Sequence, residues 1–242
     1  MHPVWMVFIY GSITALATGL GALPFAFVRD ISPRVVAWSN AAAGGLMLGA
    51  SFGLIIEGTG YGSIQTLLGA GSGVVFIFLS HRYLHDTEVS FGDIKGADAR
   101  RIFLIVAVMT VHSFTEGVAV GVAFGGGQKL ATLITIAIAV HNIPEGLAIS
   151  AVMRPKGVGV LSCALWSVFS SVPQPLMAVP AFLFVDAFRP FLPYGLGFAA
   201  GAMVFMVFLD LLPESYEGAS RPSVGLIVSI TLGAMILFQR YL

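Results

Sequence analysis

The sequence predicts an all-α membrane protein of eight transmembrane helices, in which an inverted repeat relates helices 1–3 to helices 6–8 around central helices 4 and 5. Three observations predict it. Hydrophobic residues make up 57% of the 242 and only 10% are charged, against about 25% charged in a typical soluble domain; mean hydropathy is +0.93. The apolar residues gather into eight runs of roughly the 20 residues that a bilayer crossing needs. The basic residues between those runs fall mostly on one side once the chain is threaded through.

The runs are 4–28, 35–56, 62–81, 102–125, 129–152, 158–184, 192–212 and 223–240. The first lacks a basic lead-in and a cleavage motif, so it reads as a retained span rather than a signal peptide. Arg29 and Arg34 separate it from the second, which ends ahead of Glu57. The third ends at His81 and gives way to a polar segment, 82–101, with Arg82, His85, Asp86, Glu88, Asp93, Lys95, Asp98, Arg100 and Arg101. It is the longest connection, so residues 1–242 are expected to form a single transmembrane domain with one short cytoplasmic loop. Arg154 and Lys156 close the fifth run, Asp186 and Arg189 lie beyond the sixth, and Arg221 and Arg240 flank the eighth. With the N-terminus outside, Arg29, Arg34, Arg82, Lys95, Arg100, Arg101, Arg154, Lys156 and Arg221 face the cytoplasm. Only Lys129, Arg189 and Arg240 face outward, so both termini are expected on the extracytoplasmic side.

The repeat is visible at one offset of 157 residues, which superposes Ala42-Ala43-Gly44 and Glu57 on Ala199-Ala200-Gly201 and Glu214. The second span runs outward and the seventh inward, so the repeat is inverted. Secondary transporters built this way place the substrate near the midplane between repeats. Twelve basic against twelve acidic residues give zero formal charge, so nucleic acid is not an expected partner. The single cysteine, Cys163, lies in an apolar run and reads as a packing residue.

His112-Ser113-Phe114-Thr115-Glu116-Gly117 and His141-Asn142-Ile143-Pro144-Glu145-Gly146 carry the chemistry. Each sets an imidazole and a carboxylate four residues apart, on one helix face. His112 lies 11 residues beyond Arg101 and Glu145 lies 9 before Arg154, roughly 16 and 14 Å at 1.5 Å per residue. Both motifs therefore fall near the middle of an about 30 Å core, on antiparallel neighbours. Ionisable groups at that depth face a partner or a polar cavity, and imidazole with carboxylate suits Zn²⁺, Fe²⁺, Mn²⁺ and similar cations. Two carboxylates balance one divalent ion, so one tight ion is expected.

Further polar residues surround the motifs. Pro144 is expected to open the backbone beside His141 and Asn142. Gln174, between Pro173 and Pro175, sits near the same depth as a candidate fifth ligand or a cap for freed carbonyls; Ser113 and Asn142 adjoin the histidines as ligands or as hydrogen-bonding partners between helices. Glu57 marks a candidate entrance at the outer end of the second span. Asp210 and Glu214, with His81 and His85, mark a candidate exit at the inner side.

These residues resemble the signatures of the ZIP (Zrt/Irt-like) metal transporters. The carriers of the resemblance are His112-Ser-x-x-Glu116-Gly, His141-Asn-Ile-Pro-Glu145-Gly-Leu-Ala, and Gly197 to Met203 followed by Leu211-Leu212-Pro213-Glu214-Ser215. The resemblance implies an importer of divalent cations into the cytoplasm, zinc foremost with Fe²⁺, Mn²⁺ and Cd²⁺ beside it. It also implies a homodimer, and a compact prokaryotic form residing in the cell inner membrane. The metal is then the substrate, no catalytic cofactor is implied, and the lipid bilayer is the other partner. Carried over residue by residue, the ligands fall on His112, Glu116, His141 and Glu145, with Gln174 at the sixth-span position. Many relatives that hold two adjacent ions have Glu in place of Gln174, and some have Asn for Ser113 and Asp for Asn142. The competing class is an intramembrane zinc hydrolase, in which the metal activates water; the inverted repeat and the lack of a His-Glu-x-x-His motif weigh against it.

Overall fold

The computed structural model describes residues 3–28, 31–85 and 97–241. Among them every regular element is helical: α1 (Pro3–Leu20), α2 (Pro33–Tyr61), α3 (Ser63–His85), α4 (Ala97–Gly126), α5 (Gln128–Met153), α6 (Val160–Ser171), α7 (Pro173–Ala187), α8 (Leu192–Met206), α9 (Leu212–Gly218) and α10 (Arg221–Tyr241). Seven stretches of the described residues are long and apolar enough to cross a membrane. The 30-residue α4 carries the remaining predicted span. Arg29, the stretch 86–96 and the side chains of His85, Asp98, Arg100 and Arg101 lie outside the described residues.

Several boundaries differ from the apolar runs, for local reasons. Helix α2 starts at Pro33, capped by Ser32 Oγ accepting from Val35 N–H, and continues past Glu57 to Tyr61. Backbone hydrogen bonding does not stop where hydropathy falls. The sixth span is two helices, because Pro173 has no N–H to give; Val172 tightens to a bond with the Phe169 carbonyl and α7 restarts with Pro173 in its first turn. The seventh span, α8 to α9, contains a π-helical turn at Val207–Leu211, where Leu212 N–H reaches back to the Val207 carbonyl just before Pro213. Pro144, by contrast, leaves α5 continuous from Gln128 to Met153, so the expected opening of the backbone is not there. A proline inside a helix forfeits a single donor, and the bonds on either side suffice to hold α5 together.

The packing pattern respects the repeat. Helices α1, α4, α5 and α6–α7 pack mainly with one another, as do α2, α3, α8–α9 and α10; α2 against α5 and α4 against α8 join the two groups. Exchanging spans 1 with 6, 2 with 7, 3 with 8 and 4 with 5 maps these contacts onto themselves. Relative directions alternate as successive crossings require. Asn40 near the start of α2 bonds Glu214 near the end of the seventh span, while Gly58 at the other end of α2 meets Leu196 of α8, so the two run antiparallel. The outward-facing side chains include Trp5, Leu16, Phe27, Ile64, Leu67, Leu161 and Leu226, an apolar surface suited to hydrocarbon. The buried histidines, glutamates and amides His112, Glu116, His141, Asn142, Glu145 and Gln174 gather where α1, α4, α5 and α7 meet.

Candidate metal site

Helices α4 and α5 are antiparallel, so their His/Glu pairs meet crosswise. His112 Nε2 lies 3.1 Å from Glu145 Oε1 and 3.5 Å from Glu116 Oε1. His141 Nε2 lies 3.7 Å from Glu145 Oε1 and in closer contact with Glu116 Oε1. One donor atom from each of the four lies within 4.8 Å of all the others, and all four side chains are buried. A tetrahedral ion with bonds of about 2.0–2.1 Å keeps its donors roughly 3.3–3.4 Å apart. Three of the four His–Glu separations, 3.1, 3.5 and 3.7 Å, bracket that spacing, and the fourth, between His141 and Glu116, is shorter than it. His112 Nε2 and Glu145 Oε1 have no well-aligned hydrogen bond beyond their mutual 3.1 Å contact. Buried polar atoms are normally satisfied, and a cation between them satisfies both.

The glycine after each Glu is explained by the neighbours it admits. A Cβ on Gly146 would stand 1.7 Å from the Thr18 carbonyl of α1, and one on Gly117 2.5 Å from the Gln174 carbonyl of α7. These approaches draw α1 and α7 against α5 and α4 and deliver polar groups to the His/Glu cluster. Gln174 Nε2 donates to Glu116 Oε2, and Gln174 Oε1 accepts from Asn142 Nδ2 at 3.2 Å. Asn142 Nδ2 also donates to the Thr14 carbonyl at 2.8 Å. Ser113 Oγ donates weakly to Ser171 Oγ at 3.5 Å, and Ser171 shares a 2.7 Å bond with Thr18 Oγ1. The structure thus brings Ser113, Asn142 and Gln174 beside the four His/Glu side chains.

The remaining candidates stand at the two ends of the bundle. Glu57 lies beside Gly126 in the last turn of α4. At the opposite end His81 Nε2 is 3.4 Å from Asp210 Oδ1, with Asp210 on the π turn, and Glu214 Oε2 accepts from Asn40 Nδ2 at 3.0 Å. Thr14, Thr18, Ser171 and Asn40 were not singled out from the sequence. Thr14 and Thr18 are four apart in an apolar span and Asn40 is a lone amide at the start of another. That is the same signal that exposed the histidines, in weaker residues.

The family description "ZIP zinc transporter" matches residues 80–238. Zinc transporter GufA of Myxococcus xanthus is 31% identical over 224 residues, spanning 85% of this chain and 87% of that protein. Zinc transporter ZIPB of Bordetella bronchiseptica is 32% identical over 240 residues, 92% of this chain and 77% of that one. A zinc-transporter-named protein of Arabidopsis thaliana is 47% identical over 225 residues, 91% of this chain, of which the chain spans 36% of the length.

Proposed function

This chain belongs to the ZIP zinc transporter family, and from that premise we propose that it imports divalent transition-metal cations, zinc foremost, on His112, Glu116, His141 and Glu145. It is a multi-pass integral membrane protein. The observation that carries the reading is the buried quartet of two imidazole nitrogens and two carboxylate oxygens, all within 4.8 Å of one another and supplied by two antiparallel spanning helices. The cell inner membrane, outward-facing termini and a single domain over residues 1–242 complete the proposal. Its relatives are named as transporters, which supports a carrier of metal over a hydrolase that keeps one. An ion enters past Glu57, rests on the quartet, and leaves toward His81, Asp210 and Glu214.

The test is uptake of radiolabelled zinc by the chain reconstituted in sealed vesicles, with Fe²⁺, Mn²⁺ and Cd²⁺ as competitors. Saturable flux supports the proposal; turnover of a peptide or lipid without flux contradicts it. Acid should weaken uptake. Imidazole and carboxylate must give up protons to bind a cation, so lowering the pH sets protons against metal for the same four atoms. The half-saturating zinc concentration is expected to rise as external pH falls from 7.5 to about 5.5. A buffer-dye measurement should register protons released on zinc binding.

A further inference from the structure

Thr14, Asn142, Gln174 and Glu116 form a chain of hydrogen bonds whose direction is fixed at both ends. The Thr14 main-chain carbonyl only accepts, so Asn142 turns its NH₂ toward it. The same NH₂ reaches Gln174 Oε1, which leaves the Gln174 NH₂ for Glu116 Oε2. An ionised carboxylate also only accepts. Turning either amide over would set oxygen against oxygen, in a place where all four residues are buried. Hence the assignment of nitrogen and oxygen in both amides follows from the end groups.

The fold holds this chain in place. Pro173 restarts α7 immediately before Gln174. A Cβ on Gly117 would stand 2.5 Å from the Gln174 carbonyl, and one on Gly11 would stand 2.8 Å from Pro175 Cα. Backbone from α4 and α1 thus lies against the segment carrying the amide. As a result the Glu116 carboxylate is divided: Oε2 is held by Gln174 while Oε1 alone faces both histidines. Glu145 likewise presents Oε1 to both.

We propose that Asn142 and Gln174 are positioning residues, an oriented amide relay that keeps Glu116 a one-oxygen ligand and so tunes the site to four-coordinate cations. This rests on the four-ligand reading above. Two imidazoles and two single carboxylate oxygens make a set suited to zinc or cobalt. Freeing Glu116 Oε2 adds a fifth donor and moves the site toward ions that take more oxygen, such as manganese. Outer partners of ligands typically alter affinity about 10- to 100-fold, which sets the size of effect expected.

The experiment is cobalt titration of the purified full-length chain, read by the visible absorption that is intense for tetrahedral Co²⁺ and weak for higher coordination, together with zinc and manganese affinities. The unaltered chain should give the intense band. Gln174→Met should weaken that band and lower the zinc-over-manganese preference by about 10- to 100-fold. Asn142→Leu should act in the same direction, and the double variant should be no worse than Gln174→Met alone, because Asn142 acts through Gln174. A weak cobalt band in the unaltered chain, an unchanged band in Gln174→Met, or losses that add in the double variant overturn the relay. The unaltered chain supplies its own test if a variant does not fold. Cobalt binding that is indifferent to His112→Ala and His141→Ala would instead overturn the four-ligand reading beneath it.

Discussion

Saturable zinc uptake is expected to vanish when Glu145 is replaced by alanine. Glu145 Oε1 faces both histidines, at 3.1 and 3.7 Å, and with Glu116 supplies the two negative charges that balance one divalent ion. Its removal leaves a three-donor set and one uncompensated positive charge in a region closed to water. Breaking a buried charge pair by removing one partner costs about 3–5 kcal/mol, equivalent to roughly a hundredfold to several-thousandfold in affinity. Glu145→Gln keeps the volume but not the charge and should lose nearly as much, which separates electrostatics from packing. The check is radiolabelled zinc flux into vesicles holding equal amounts of each variant. Undiminished flux through Glu145→Ala removes that residue from the site.

Gly146→Ala is expected to damage the fold itself. The added Cβ would lie 1.7 Å from the Thr18 carbonyl, and a Cβ at the facing Gly21 would lie 2.2 Å from Leu147 N. Both contacts are with backbone, Gly21 lying just past the end of α1, and backbone cannot swing aside as a side chain does. Helix α1 must back away from α5, taking with it the Thr14 carbonyl that anchors Asn142. Overpacking of this kind typically costs about 1–3 kcal/mol, and the backbone contact places Gly146 at or beyond the upper end. Thermal unfolding in detergent, followed by loss of the monodisperse chromatographic peak, measures it. Gly71→Ala is the control, since a Cβ there meets nothing within 4 Å; equal thermal midpoints for the two would refute this account of helix packing.

What the sequence made legible was local or periodic. Eight apolar runs, the lean of basic residues to one side and the four-residue spacing of His112 with Glu116 and His141 with Glu145 each depend on residues close in the chain. The repeat offset of 157 was legible too, because Ala-Ala-Gly and a following Glu recur as a string. Helix breaks were harder. Pro144 and Pro173 look alike on paper, yet α5 runs through the first and the sixth span breaks at the second. Pro144 stands within a helix packed against α1, α2 and α4, whereas Pro173 is followed two residues later by Pro175, so a second donor is missing at once. The amide relay was out of reach. Spacing brought Gln174 to the right depth, but which of its atoms faces Glu116 depends on Thr14, 160 residues away in sequence. The same holds for His81 with Asp210 and Asn40 with Glu214, where the partners come from separate spans.

Anomalous diffraction at the zinc edge, from crystals of the chain grown with zinc, tests the central claim most directly. A dominant peak is expected, enclosed by His112 Nε2, Glu116 Oε1, His141 Nε2 and Glu145 Oε1, at about 2.0–2.2 Å from each. Zinc found only elsewhere, or a peak that leaves these imidazoles turned from each other, would contradict it.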